Sequence, residues 1–480
     1  MNRPLRWYDL FTINIYFMGL TTLSQTMTPL VAPLLVQQFV GEANQGAFYG
    51  TLRLWSLMVA LLVQSLMGTL SDRSTLRWGR RRPFIFIGTI ANIFIMVLIG
   101  FTAGMQGMTG YWTLFILLLV MSVASNTGHG AVQGLIPDLV PENQRGRYSG
   151  VKAILEVPLP VILVSFTIGK MIASGNMWAG LLTAMGVLVF TMLVTMFAPE
   201  KRFENPPPLD LAPFVRLLMM TALFTIIILA VGQAVRLVGG AVQNAADTTI
   251  LVTMGIAGFA AMLVAVALGV WASVQLSIGE AAKENPSFTW WVVNRLAYLV
   301  GSTNLASFAV YFLQGRLGLE REKAAGPASQ LIMFVGLFIL LVAFPSGWLA
   351  DRFGRKPLVA LSGIVATLGT LVLILSPNLT MIYIGAILIG VATGLFYTAN
   401  WALGTDLVPK EEAGRYLGIS NLAGAGAGAV GAYIGGPIAD FVTKNIPESP
   451  GLGYVLLFAI YGGLFLFSLL ALTRVKPPQK

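Results

Sequence analysis

Two pairs of matching motifs decide the fold of this chain. Residues 351–357 read Asp-Arg-Phe-Gly-Arg-Lys-Pro, and residues 72–83 hold the same pattern with four extra residues between the first Arg and the Gly. Residues 138–141 and 406–409 both read Asp-Leu-Val-Pro, and four residues later both copies continue with Gly-Arg-Tyr. Each motif follows a long apolar segment, and both pairs occur in the same order. The chain therefore contains an internal repeat.

The composition places this repeat in a membrane. Of 480 residues, 56% are hydrophobic and only 10% are charged, whereas a soluble domain has about 25% charged residues. The absence of cysteine and the single histidine argue against thiol chemistry, a thiolate metal site or a His-rich metal centre. We expect no cofactor and no metal. A water-soluble multidomain enzyme is excluded, and the long apolar runs predict an all-α polytopic membrane protein.

Fourteen apolar segments are long enough to span a bilayer. They are 8–36, 47–70, 83–104, 111–133, 149–172, 177–198, 213–236, 248–276, 288–313, 327–350, 357–376, 380–404, 416–441 and 451–473. Most of the 30 Lys and Arg residues fall in the loops that lie inside when both termini are cytoplasmic. We therefore expect a multi-pass protein of the cell membrane, with its net charge of +10 explained by these loops and not by nucleic acid.

The repeat also predicts the domain organisation. Two six-helix bundles, 1–200 and 286–480, run in the same direction through the membrane, and 201–285 joins them. The joining segment holds a proline-rich linker at 203–208 and an inserted pair of apolar segments. In the alternative twelve-span interpretation, the inserted pair is peripheral or re-entrant.

The motif at 351–357 resembles the loop signature of the major facilitator superfamily, the twelve-helix secondary transporters, and it occurs at both expected places. Residues 62–68, 71–72 and 77–85, with Thr28 and Pro29, resemble the sucrose–proton symporter group more closely. This resemblance implies coupled uptake of small sugars. On the fourth span, plant sucrose carriers have an Asp that is implicated in proton coupling, whereas this chain has Ser122. The resemblance therefore does not establish sucrose as the solute or this Asp as the route of the proton.

The resemblance implies that the loop motifs form a cytoplasmic latch, while the alternative is that their Arg residues act only as topology signals. For Arg81 and Arg82 we favour topology alone. Arg147 and Arg415 are candidate partners for Asp138 and Asp406, or for the acid of the other half. The gate residues are Asp72, Arg73, Gly79, Arg80, Asp351, Arg352, Gly354, Arg355, Asp138, Arg147, Asp406 and Arg415.

Ionisable residues inside spans are costly and are read as functional by default. Glu156 lies one helical turn after Lys152, and the prolines that follow predict a kinked helix. It is either a coupling or solute site, or half of a pair near the headgroups. Arg53 and Arg295 either act in transport or extend towards the headgroups. His129 is either a packing residue or a titrating group.

Neutral polar residues on the first and fourth spans of each half suit the hydroxyls of a sugar. Each is equally explained by helix–helix hydrogen bonding. The candidates are Asn14, Gln25, Ser122, Asn126, Asn304, Tyr397, Asn400 and Trp401. The predicted function is secondary transport of a small polar solute, a sugar or glycoside, coupled to a proton or another cation, by a monomer. The alternative is export of a drug or amphipath.

Overall fold

The computed structural model describes residues 5–200, 211–279, 285–408, 413–449 and 451–476, and this part of the chain is helical with no strand. The first helices are α1 Asp9–Thr12, α2 Ile15–Thr26, α3 Ala32–Val40, α4 Gln45–Asp72, α5 Arg82–Thr102, α6 Gly107–Val132, α7 Leu135–Leu139, α8 Arg145–Glu156, α9 Pro158–Leu163, α10 Gly169–Ala173 and α11 Met177–Thr195. The remaining helices are α12 Ala212–Val242, α13 Asp247–Ser277, α14 Pro286–Ser307, α15 Ala309–Leu317, α16 Ala325–Phe353, α17 Arg355–Leu375, α18 Leu379–Leu407, α19 Ala413–Asn445 and α20 Leu452–Thr473.

Within the described ranges, 12 helices are long and apolar enough to cross a membrane, and α14 and α15 form a thirteenth candidate that bends by 62°. The first predicted span is not among these helices, and it is divided among α1, α2 and α3, with a π-helical turn at Met27–Val31. Proline has no backbone N–H, so Pro29 inside this turn cannot continue the regular helical ladder.

The fifth predicted span is interrupted as the prolines predict. Helix α8 ends at Glu156, and α9 begins at Pro158 after Val157 departs from helical geometry with ψ of −71°. A second π-helical turn, Val164–Ile168, follows before α10. The interruption leaves Glu156 at a helix end in the middle of the segment.

The contacts of the chain divide it into two compact units. Unit 1 holds Met1–Phe39 and Val59–Val215, and unit 2 holds Val40–Met58 and Arg216–Lys480. The first half of α4 therefore groups with the later helices, although it precedes most of unit 1 in sequence. The boundaries at 200 and 285 stay a prediction.

The inserted segments form two full-length helices, α12 and α13, of 31 residues each. Both satisfy the length and composition of a membrane span. They pack on α19 through glycines, since a Cβ at Gly269 or at Gly426 would lie 2.0 Å from the ring of Phe224. The glycine-rich run at residues 424–428 of α19 thus allows close helix packing. The linker at 203–208 lies outside the described residues.

Candidate functional site

Arg81 is the centre of the loop motif in unit 1. Its side chain is only 5% exposed, it forms an ion pair with Asp72, and its Nε donates to Asp138 Oδ2 at 2.9 Å. Its Nη1 donates to Ser71 Oγ at 2.6 Å. A buried guanidinium shared between two carboxylates holds the ends of α4 and α7 together. The interpretation of Arg81 as a topology signal alone is therefore wrong.

Asp138 is bound by the motif and not by Arg147. Arg80 forms an ion pair with its Oδ1 while Arg81 binds its Oδ2. Arg147 is exposed, and no ion pair of it occurs in the described ranges. Of the two alternatives for Arg147, the pairing with Asp138 is wrong, because Arg80 and Arg81, directly before α5, both bind this carboxylate.

Glu200 completes the motif from the segment that follows the end of α11 at Thr195. Its carboxylate accepts hydrogen bonds from the backbone N–H groups of Arg81 at 2.6 Å and Arg82 at 3.0 Å, at the start of α5. Burial raises the pKa of Glu200, and the two N–H donors oppose that rise. Gly79, with φ of +112°, allows this approach, since a Cβ there would lie 2.5 Å from Glu200 Oε2.

The loop motif of unit 2 retains part of this arrangement. Arg355 forms an ion pair with Asp406 and donates from Nη1 to the carbonyl oxygen of Ala402 at 2.7 Å. Arg352 stacks on the ring of Trp348 at 5.3 Å. Asp351 is exposed and has no ion pair within the described part of the chain. Asp406 is therefore bound by Arg355, and the predicted partner Arg415 has a side chain outside the described residues.

The ionisable candidates of unit 1 lie together around Phe17. Lys152 Nζ lies 3.6 Å from Glu156 Oε2 and 4.1 Å from the centre of the Phe17 ring. His129 packs edge-to-face on the same ring at 6.2 Å and shares a 3.1 Å hydrogen bond with Gln133. The side chains of Lys152 and Glu156 keep 28% and 33% of their surface exposed. We define Phe17, His129, Lys152 and Glu156 as the ionisable cluster.

The neutral candidates of unit 1 use their donors within their own helices. Asn126 Nδ2 donates to Ser122 O at 2.8 Å, and Ser122 Oγ donates to Leu118 O at 3.0 Å. Asn14 Nδ2 donates to the carbonyl of Leu10 at 2.9 Å, while its buried Oδ1 has no partner among the described residues. Gln25 is half-buried. These side chains keep acceptor oxygens. No hydrogen bond among the described residues joins them to Glu156.

Asn304 and Arg53 lie on facing helices of unit 2. Asn304 is buried and donates from Nδ2 to the carbonyl of Ala427 at 3.1 Å. Arg53 is half-buried beside Gly428, whose Cβ position would lie 3.6 Å from Arg53 Nη2. Both residues therefore line the α19 backbone.

A second polar network in unit 2 centres on Asn400. Arg295 Nη1 donates to Asn400 Oδ1 at 3.0 Å, and Asn400 Nδ2 donates to Asn294 Oδ1 at 2.8 Å. Arg295 is only 8% exposed, so it does not extend to the headgroups, and that interpretation is wrong. Tyr397 and Trp401, on the same helix as Asn400, are 40% and 39% exposed.

Asp440 is a functional candidate that the sequence analysis missed. Its Oδ1 accepts from the N–H of Gly46 at 2.9 Å and its Oδ2 from the N–H of Ala47 at 2.7 Å. The carboxylate thus caps the first turn of α4, where free N–H groups and the helix dipole favour negative charge. An acid near the end of a long apolar segment was the only sequence signal.

In the part of the chain that the structure describes, no group of three or more His, Cys, Asp or Glu side chains could hold a metal ion. The described polar groups instead offer guanidinium, amide, hydroxyl and aromatic contacts. Such groups recognise polar organic molecules.

Comparison with known proteins agrees with this chemistry. Residues 292–480 match the family model of the Major Facilitator Superfamily. The minor myo-inositol transporter IolF of Bacillus subtilis is 36% identical over 18% of this chain and 20% of its own length. The sucrose transport protein SUC3 of Arabidopsis thaliana is 28% identical over 34% of this chain and 32% of its own length. The chain thus matches about a third or less of these two relatives.

Solved structures show the same fold over nearly the whole chain. The nucleoside transporter NupG aligns with a TM-score of 0.63 at 13% identity, covering 98% of this chain and 100% of that chain. The POT family transporter PepTSo aligns with a TM-score of 0.64 at 13% identity, covering 98% of both chains. The resemblance to the major facilitator superfamily is confirmed, as is the all-α polytopic fold class. The similar proteins are membrane transporters and not enzymes.

Proposed function

We propose that this protein is a secondary active transporter that carries a small polar solute, a sugar or glycoside, across the cell membrane by alternating access. The observation that carries the proposal is the ionisable cluster at the interruption of the fifth span. A charged pair beside a broken helix is the arrangement in which transporters bind solutes and coupling ions. The sugar, inositol and sucrose transporters among the similar proteins support the solute class.

Proton coupling is assigned to Glu156 in this proposal. Ser122 occupies the position of the family's acid, whereas Glu156 lies 3.6 Å from Lys152 and remains one-third exposed. A carboxylate that exchanges a cation partner for a proton changes its charge with transport state. Both termini are cytoplasmic in this scheme because the inner loops carry most of the basic residues. The protein acts as a monomer.

The direct test is uptake into proteoliposomes. The purified protein is reconstituted and supplied with labelled glucose, sucrose, myo-inositol and sugar acids, with and without an inward proton gradient. Uptake above that of protein-free vesicles, increased by the gradient, supports the proposal. Uptake restricted to amphipathic drugs, or absence of uptake for every sugar class, contradicts it and favours the exporter alternative.

A further inference from the structure

Arg295 is a buried cation with no carboxylate partner. It lies nine residues into α14, about 14 Å from the helix start at 1.5 Å per residue. No described acid forms an ion pair with its guanidinium within 4 Å. Its Nε has no hydrogen-bond partner among the described residues. A charge held inside a membrane helix without a counter-ion carries a large desolvation cost, which a bound anion would remove.

Two described acids on helices that contact α14 are engaged elsewhere. Asp406 of α18 pairs with Arg355, and Asp440 of α19 accepts the N–H groups at the start of α4. Arg53 of α4, in the same unit, also lacks a carboxylate partner within the described ranges. Arg295 and Arg53 are therefore two guanidinium groups of unit 2 that have no carboxylate partner within the described ranges.

The surroundings of Arg295 hold its guanidinium in a fixed orientation. It lies 5.8 Å from the centre of the Trp291 ring and 5.2 Å from that of Trp401. Its acceptor Asn400 is fixed in turn by Asn294, whose Nδ2 donates to Ser468 O at 2.8 Å. An orientation fixed before binding lowers the entropy lost when a ligand docks.

One side of this network is left uncovered by the described protein. Trp401 is 39% exposed and Tyr397 is 40% exposed, whereas Trp291 is buried. An indole face and a phenol are the groups that pack against a sugar ring and bind its hydroxyls. The uncovered side thus holds sugar-binding groups next to a buried guanidinium that has no carboxylate partner among the described residues.

We propose that Arg295 binds a carboxylate of the transported solute, and that the solute is a sugar acid, a polyhydroxylated monocarboxylate. This inference rests on the proposed sugar transport and narrows its substrate class. A single guanidinium matches a single negative charge, and its planar donors fit a carboxylate with two parallel hydrogen bonds. Asn400 orients the guanidinium, while Tyr397 and Trp401 contact the ring.

The first arm of the test uses the parent protein alone. Proteoliposome uptake of labelled glucuronate is compared with that of labelled glucose and myo-inositol at equal concentration. We expect a preference for glucuronate of about ten- to hundredfold, as one charge-assisted contact gives. Uptake of glucose or myo-inositol with no preference for glucuronate overturns the inference and leaves sugar transport standing, whereas uptake of none of the three contradicts the proposed function itself.

The second arm assigns the preference to Arg295. Arg295→Gln is expected to lower glucuronate uptake about ten- to hundredfold, and Arg295→Lys to recover only part of it because lysine lacks the planar donor pair. The matched control is Arg236→Gln, since Arg236 stacks on Tyr433 at 5.3 Å but is exposed on the inserted helix. Equal glucuronate uptake in parent and Arg295→Gln overturns the assignment. If Arg295→Gln does not fold, the first arm still decides the substrate class.

Discussion

Arg80 and Asp138 form an ion pair in unit 1, and Arg355 and Asp406 form the same pair at the matching motif positions of unit 2. Each arginine directly follows a glycine with positive φ, +112° at Gly79 and +92° at Gly354. Only glycine adopts such angles readily, so the turn that places the arginine depends on it. Both halves of the repeat therefore retain an Arg–Asp ion pair that joins their two loop motifs. The first acid of the motif differs, since Asp72 pairs with Arg81 whereas Asp351 has no ion pair among the described residues.

Removing the two repeated acids should have unequal effects on stability. Asp138→Asn is expected to lower the free energy of unfolding by about 1–3 kcal/mol, because two guanidinium groups lose the shared negative charge and one of them faces an NH2 group in place of an acceptor oxygen. Asp406→Asn, at a more exposed pair, should cost about 0–1 kcal/mol. Thermal unfolding in detergent measures both. Asp351→Asn is the control and should change little, and a loss there equal to that of Asp138→Asn would contradict the account.

Much of the fold could be predicted from the sequence because long apolar segments and repeated motifs are local signals. The interruption after Glu156 was likewise predictable, since prolines mark it. The contact partners of individual side chains were harder to predict from the sequence. Nothing local in the sequence says that Glu200 returns to the start of α5 or that Asp440 caps α4, because both contacts join residues more than a hundred positions apart.

Arg81 and Arg147 illustrate the same limit within one motif. Both are basic residues near Asp138 in the repeat scheme, and charge pattern alone does not distinguish them. The structure distinguishes them by burial, since Arg81 is 4% exposed and Arg147 is exposed. The position within the repeat could have identified the arginine that binds the acid, because Arg80 and Arg355 occupy matching positions directly after a glycine.

The cap on α4 predicts a stability role for Asp440. Asp440→Ala removes the acceptor of two N–H groups and should lower the free energy of unfolding by about 1–2 kcal/mol. Thermal unfolding of the purified variant measures this loss. Asp247→Ala is a matched control, since Asp247 lies exposed in the first turn of α13 without a side-chain cap. Equal losses in the two variants would show that the contact with Gly46 and Ala47 does not stabilise the protein.

Glu200 predicts a pH dependence of stability. Burial raises its pKa in the folded protein, so folding favours the protonated form. The stability that this preference contributes is present at low pH and is lost as pH rises through the folded pKa. Glu200→Gln cannot titrate. The difference in melting temperature, parent minus variant, should therefore fall as the pH rises above about 4.3, the ordinary pKa of a Glu carboxyl group. A difference that grows with pH would contradict the direction of the shift.

Asp72 predicts a kinetic effect separate from binding. It pairs with Arg81 yet keeps half of its side-chain surface exposed, so the pair can be exchanged during a conformational change. Asp72→Asn should lower the transport rate more than solute affinity, since a change of about 1.4 kcal/mol in a two-state equilibrium shifts populations tenfold. Uptake rates and binding of the same solute are compared. Equal losses in rate and affinity would indicate a folding or site defect.

The central claim, that Glu156 couples solute movement to a proton, is tested most directly by comparing exchange with accumulation in Glu156→Gln proteoliposomes. The parent should concentrate labelled solute against its gradient when the outside is acidic. Glu156→Gln should exchange solute at a similar rate but lose pH-driven accumulation, because a neutral side chain cannot exchange Lys152 for a proton. A variant that concentrates solute as well as the parent would contradict the claim and leave Glu156 as a structural partner of Lys152.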